Sequence, residues 1–195
     1  MRISYIILVL IGVVFSSCNR EYAAKPKAYP RVIYPEKKYV EFAPAGCPFT
    51  CQIPQYAIAE KDTNFISQKV DTRCWTNILF PNFNGTINLT YKELNGEETL
   101  AKLLEDAHTL TYKHTKKANF IDEYQIKNSH GVDGMIYDVG GDAASNFQFY
   151  LTDKKKHYIR GALYFYNEPN TDSMKPVIQF VRKDLDYMIE TFQWK

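Results

Sequence analysis

The 195-residue chain is 45% hydrophobic and 24% charged, enough for one well-filled core and too short for two comfortable domains. Its 24 basic and 22 acidic residues leave a net charge of +2 without any block of like sign, which argues against nucleic-acid binding through a basic surface. Fifteen Tyr and twelve Phe favour a sheet-rich fold, and nine Gly and nine Pro scattered along the chain exclude collagenous and broadly disordered classes.

Residues 1–17 read as a signal peptide. Arg2 supplies the positive end, and Ile3 to Phe15 is apolar except for Ser4 and Gly12. About a dozen apolar residues are too few to span a bilayer but suit an export signal. The run ends Phe15-Ser16-Ser17-Cys18, and small residues directly before a cysteine resemble the lipobox of a bacterial lipoprotein. Cys18 is then expected to be fatty-acylated and to become the mature N-terminus, which makes the membrane a partner through lipid and not through a spanning segment. Loss of Arg2 with the leader leaves the mature chain at about +1, so attraction to acidic phospholipid adds little to the anchor. Residues 18–35 carry several prolines and charges with little apolar periodicity and read as the lipidated cysteine plus an extended tether. Residues 36–195 read as one globular domain.

Within that domain, Tyr39–Phe42 and Tyr56–Ala59 are short strand candidates among prolines. Trp75–Phe80 is another, stopped by Pro81, and Ile87–Tyr91 alternates as a half-buried strand should. A helix is expected from Glu97 to Lys117, with Leu100, Leu103, Leu104, Ala107 and Thr111 on one face. Four strands follow, Ile121–Asn128, Val132–Val139, Ser145–Thr152 and His157–Tyr166. Their compact turns, among them Gly140-Gly141-Asp142, imply an antiparallel meander. A closing helix from Ser173 to Phe192 presents Val177, Val181, Leu185, Met188 and Phe192. Asp172 or Ser173 is its expected N-cap, and Pro176 is placed in its first turn. The fold class is therefore α+β: a single domain with a curved, mainly antiparallel sheet covered by a middle and a C-terminal helix. The order of its second half is similar to the PsbP/Mog1-like architecture, by analogy of topology.

Cys47, Cys51 and Cys74 remain after lipidation. In an oxidising compartment two should pair; Cys47–Cys51 closes an awkwardly short loop, while Cys47–Cys74 or Cys51–Cys74 closes about 25 residues, a constraint of roughly 3 kcal/mol. Three reduced, buried thiols are the alternative. No metal site is expected, because these spacings fit no zinc finger. His108 and His114 share the middle helix on different sides and read as structural. Glu105 and Asp106 read as a solvated face, and the Asp138 to Asp142 segment as a hairpin turn. No nucleophile, metalloprotease or phosphate-loop motif occurs, so no catalytic residue and no cofactor are assigned. On the strand His157–Tyr166, Tyr158, Arg160, Tyr164 and Tyr166 share one face, a composition enriched at binding surfaces. These four are the candidate partner-binding residues. The competing reading has the terminal helix covering this face and pairing one of its carboxylates with Arg160.

Several blocks in order bring a family into view: the lipobox, Cys47-Pro48-Phe49, Cys74-Trp75, Leu104-Glu105-Asp106-Ala107, His114, Lys117-Ala118, Phe149 to Phe165, and Asn167-Glu168-Pro169-Asn170 to Thr191-Phe192-Gln193-Trp194. Together these resemble the gliding-motility lipoprotein GldD family of the Bacteroidetes. The resemblance implies a cell-envelope lipoprotein needed for gliding and associated with the machinery that supports type IX secretion, with other envelope proteins of that machinery as partners. It also implies the Cys47–Cys74 pairing and carries over no catalytic residue. The expectation is a non-enzymatic assembly or interaction component, lipid-anchored and facing the periplasm from the outer membrane. The alternative is an envelope enzyme or ligand-binding module acting on peptidoglycan or glycan through a cleft of Tyr, Arg and His.

Overall fold

The computed structural model describes residues 31–62, 72–95, 99–166 and 171–195. The signal peptide, Cys18, the tether to Pro30, the expected helix start at Glu97 and the Asn167–Asn170 segment lie outside the described residues. The folded unit begins at Arg31, earlier than the expected boundary at Glu36. Val32 packs against the core, and Tyr34 lies with its ring 4.6 Å from that of Phe180 and 6.0 Å from that of Phe83.

The strands are β1 (Tyr39–Phe42), β2 (Phe49–Pro54), β3 (Ile58–Lys61), β4 (Thr76–Phe80), β5 (Gly85–Glu93), β6 (Ala118–Lys127), β7 (Asp133–Gly141), β8 (Phe147–Thr152), β9 (His157–Phe165) and β10 (Gln193–Trp194). Two helices, α1 (Leu100–Tyr112) and α2 (Thr171–Glu190), complete the fold. The strands make a three-stranded sheet, β1-β2-β10, and a seven-stranded sheet, β3-β4-β5-β9-β8-β7-β6, both antiparallel throughout. The architecture is the expected α+β domain, with the large sheet open and its edges at β3 and β6.

The helices take opposite faces of the large sheet. Val177, Val181, Leu185, Met188 and Phe192 of the closing segment are all buried, in one cluster with Ile159 and Leu163 of β9 and Phe147, Phe149 and Leu151 of β8. On the other face, Tyr158 of β9 donates to the Leu103 carbonyl of α1 at 3.3 Å, and Thr111 of α1 donates to Gln148 of β8 at 3.3 Å. Thr99 caps α1, its side chain accepting from the Lys102 N–H at 3.4 Å. The helix tightens into a 3-10 turn over Lys113–Lys116, so His114 belongs to that turn.

Two turns carry their own logic. Asn128 Oδ1 accepts from His130 and Val132 N–H, both at 3.0 Å, closing the β6–β7 connection, where Gly131 takes φ +73°. Asp153 Oδ1 accepts from the N–H groups of Lys155, Lys156 and His157 at 2.8–3.0 Å. Burial alone would push this carboxyl up, but those three donors outweigh it and hold Asp153 below the usual carboxylate range.

Several expectations need correction. β2 is not among the expected strands, although Phe49, Cys51 and Ile53 alternate and are buried; it pairs with β1 on one side and β10 on the other. The strand expected at Tyr56–Ala59 begins at Ile58, and Tyr56 precedes it in a turn. Gly140 and Gly141 end β7 and do not form a turn. The ring of Phe120 lies over Gly140, where a Cβ would come within 2.1 Å of it. α2 starts at Thr171, so Asp172 and Ser173 lie inside its first turn instead of capping it, and Pro176 falls within the helix.

Candidate functional site

The face holding Tyr158, Arg160, Tyr164 and Tyr166 is not an open surface along its length. Tyr158 is buried beneath α1, Arg160 and Tyr164 are half-buried, and Tyr166 is exposed. The covering helix is α1, not the terminal helix, because β9 turns its Ile159 and Leu163 side to α2. Arg160 makes its hydrogen bond to Gln148 Oε1, not to a carboxylate of α2. Around it, Tyr150 stacks on Tyr158 with ring centroids 5.8 Å apart, and Tyr137 lies 6.4 Å from Tyr150. Burial pushes Tyr137 up to about 12 and raises Tyr158 and Tyr150 as well, so these hydroxyls stay protonated donors at neutral pH. Burial, and after it the Arg160 charge, lowers His114.

A second surface lies at the β6 edge, a position that sequence periodicity does not reveal. β6 is ten residues long and pairs only with β7 among the described residues. The Asn128 N–H donates to Val132 O at 3.1 Å, and counting back through the register turns the backbone groups of Ile126, Tyr124 and Asp122 toward β7. Those of Gln125, Glu123 and Ile121 therefore face outward. Phe120 and Tyr124 are about half exposed, at 51% and 49%. On the α1 side of the strand His108 stacks on Tyr112 at 4.1 Å, and Tyr112 donates to Glu123 Oε1 at 3.1 Å. That hydrogen bond is the main cause of the raised Tyr112 pKa. A groove of about 1610 Å³ opens next to Phe120, between the start of β6 and α2, with Tyr34, Phe180, Arg182 and Lys183 on its walls. Arg182 is held there by Asp138 at 2.9 Å and Asp186 at 3.2 Å.

The third arrangement joins the chain's entry into the domain to α2. Asp184 is fully buried and accepts from Lys37 Nζ at 2.5 Å, Tyr39 at 2.7 Å and Tyr56 at 2.5 Å. Lys37 also donates to the Phe180 carbonyl at 3.1 Å and lies 4.2 Å from the centre of that ring. Burial and the Asp184 hydrogen bond push both tyrosines above their ordinary range. This is a closed ionic anchor, with donors matched to a single carboxylate.

The structure joins Cys47 to Cys74, with their Cα atoms 5.6 Å apart. Cys51, on β2, is a free buried thiol that burial pushes up to about 12, which leaves it without thiolate character at neutral pH. Among the described residues, no group of three or more His, Cys, Asp or Glu side chains is placed to hold a metal ion. No described helix is long and apolar enough to cross a membrane.

Residues 19–194 match the family described as gliding motility lipoprotein GldD. The chain belongs to the GldD family. Membership makes it a gliding motility lipoprotein, attached by lipid to the cell envelope. No curated protein matches the chain. Among solved structures, the solution structure of cyanobacterial PsbP (CyanoP) from Synechocystis sp. PCC 6803 is similar at 12% identity with a TM-score of 0.45, covering 88% of this chain and all of that one.

Proposed function

We propose that this GldD-family chain is a non-enzymatic assembly component of the gliding and type IX secretion machinery, held by the lipid on Cys18 at the outer membrane and facing the periplasm. The observation that carries the reading is the β6 edge. Ten residues of strand leave outward N–H and C=O groups at Ile121, Glu123 and Gln125, flanked by half-exposed Phe120 and Tyr124. Such an edge is a template for an extended segment of another chain, with main-chain bonds giving affinity and flanking pockets giving specificity. Phe120 supplies the aromatic anchor and the adjoining groove the pocket. The residues first singled out on β9 contribute less to this contact, since Tyr158 is buried and Arg160 is bonded within the fold.

The lipid fixes the domain near its partners, so detachment should remove function without altering the fold. Cys18→Ser is expected to leave the chain unacylated, shift it out of the membrane fraction and abolish gliding, measured by fractionation and single-cell tracking at matched protein abundance. A Cys18→Ser chain that stays with the membrane and supports normal gliding contradicts the reading.

A further inference from the structure

Arg160 occupies the middle of β9, opposite Thr90 of β5 and Tyr150 of β8, and is half-buried. A guanidinium carries five N–H donors and a charge that cannot be removed by deprotonation. Among the described residues its one hydrogen bond goes to the neutral Gln148 Oε1, and no carboxylate pairs with it. A partly desolvated cation without a counter-ion is an incomplete arrangement.

A second defect lies beside the first. Gln148 is 1% exposed, and its Oε1 is doubly used, by Arg160 and by Thr111, while its Nε2 has no hydrogen-bond partner among the described residues. Buried amide donors are rarely left open in a native fold, because the desolvation of the N–H is then uncompensated. Tyr137 stands in register with Gln148, and Tyr150 with Arg160, adding two protonated hydroxyls to the same cluster. The inventory is therefore one fixed positive charge and several donors, with the neutral Gln148 Oε1 already occupied and the Glu123 carboxylate acting on Tyr137 and Tyr150 without forming an ion pair with Arg160. What completes it is a group that only accepts and is negatively charged.

We propose that the cluster of Arg160, Gln148, Tyr137 and Tyr150 beneath α1 binds a single oxyanion group, a carboxylate or phosphate borne by an envelope ligand. The ligand's oxygens would take hydrogen bonds from the free guanidinium N–H groups and from Gln148 Nε2. This site lies on the α1 face and does not depend on strand addition at β6, so either can fail without the other. It gives the chain a ligand-binding activity beyond its role as an assembly component.

The test is isothermal titration of inorganic phosphate, and separately of glutarate, into the full lipidated chain in a non-ionic detergent, with chloride holding ionic strength constant. Saturable one-to-one binding of at least one probe is expected, with a rise in melting temperature of roughly 3–5 °C at ten times the dissociation constant. Binding of phosphate alone assigns a phosphoryl group, of glutarate alone a carboxylate, and of both a site open to either. Arg160→Gln should weaken binding roughly ten- to hundredfold, the worth of a charge-assisted hydrogen bond. Gln148→Glu keeps the acceptor for Arg160 and Thr111 while placing an anion where the ligand would sit. That variant should melt above the wild type and take up neither probe, and it carries the test even if Arg160→Gln does not fold. Absence of one-to-one binding to the wild type overturns the proposal, as does wild-type affinity in Gln148→Glu.

Discussion

Asp184→Ala is expected to destabilise the chain by about 3–5 kcal/mol, the range found when one partner of a buried ion pair is removed. The carboxylate has no exposed surface, and its two oxygens satisfy Lys37, Tyr39 and Tyr56, which come from three places in the N-terminal part of the domain. Removing it leaves an ammonium and two hydroxyls facing a cavity on α2. Because the Lys37 side chain is 30% exposed and can swing to water, the lower part of that range is expected. Asp184→Asn removes the charge and turns one of the two accepting oxygens into an NH2 donor, but it keeps the other acceptor and the volume, so it should cost less than Asp184→Ala. Equilibrium urea unfolding measures both, with a lowered midpoint at unchanged slope. The loss should also be local in its first effect: Lys37 and Tyr39 lie where the chain enters the domain, and protease cleavage should rise there before global unfolding.

Replacing both Cys47 and Cys74 with Ala should cost about 3.5 kcal/mol, from the entropy that a cross-link of this span removes from the unfolded chain. The two lie 27 residues apart in sequence and both are buried, Cys47 just before β2, the central strand of the small sheet, which pairs with the terminal β10. Cys51 is not a substitute partner, being enclosed and protonated. Unfolding of oxidised wild type, reduced wild type and the double variant separates the contributions. The reduced wild type should fall with the double variant, whereas agreement of reduced and oxidised forms would show the cross-link to be energetically idle.

The second half of the fold was legible because each element carried one clear period. Val177, Val181, Leu185, Met188 and Phe192 repeat at helical spacing and are all buried, and β6 to β9 alternate between short polar turns. β2 was hidden by its flanks. Pro48 and Pro54 look like loop punctuation, yet Phe49, Cys51 and Ile53 alternate, and tertiary packing against Phe192 and Trp194 decides the outcome. Asp184 left a signal that could have been read: it stands three residues after Val181 and four before Met188, inside the apolar stripe, where a carboxylate must find donors. What sequence could not supply was which donors, since Lys37, Tyr39 and Tyr56 sit among prolines far along the chain. The face of β9 was identified by its alternation, but alternation assigns two faces without saying which helix covers which. Likewise, an open edge depends on strand order, which no local pattern encodes, and so β6 became visible only in the assembled sheet.

β6 is the proposed place where another envelope chain adds a strand. Gln125 directs its N–H outward, so Gln125→Pro removes one donor from the free edge while leaving the β6–β7 ladder whole. Gliding speed of cells carrying Gln125→Pro, with the variant membrane-bound at wild-type abundance and wild-type melting temperature, tests this most directly. Loss of gliding is predicted; wild-type gliding by such cells would contradict it.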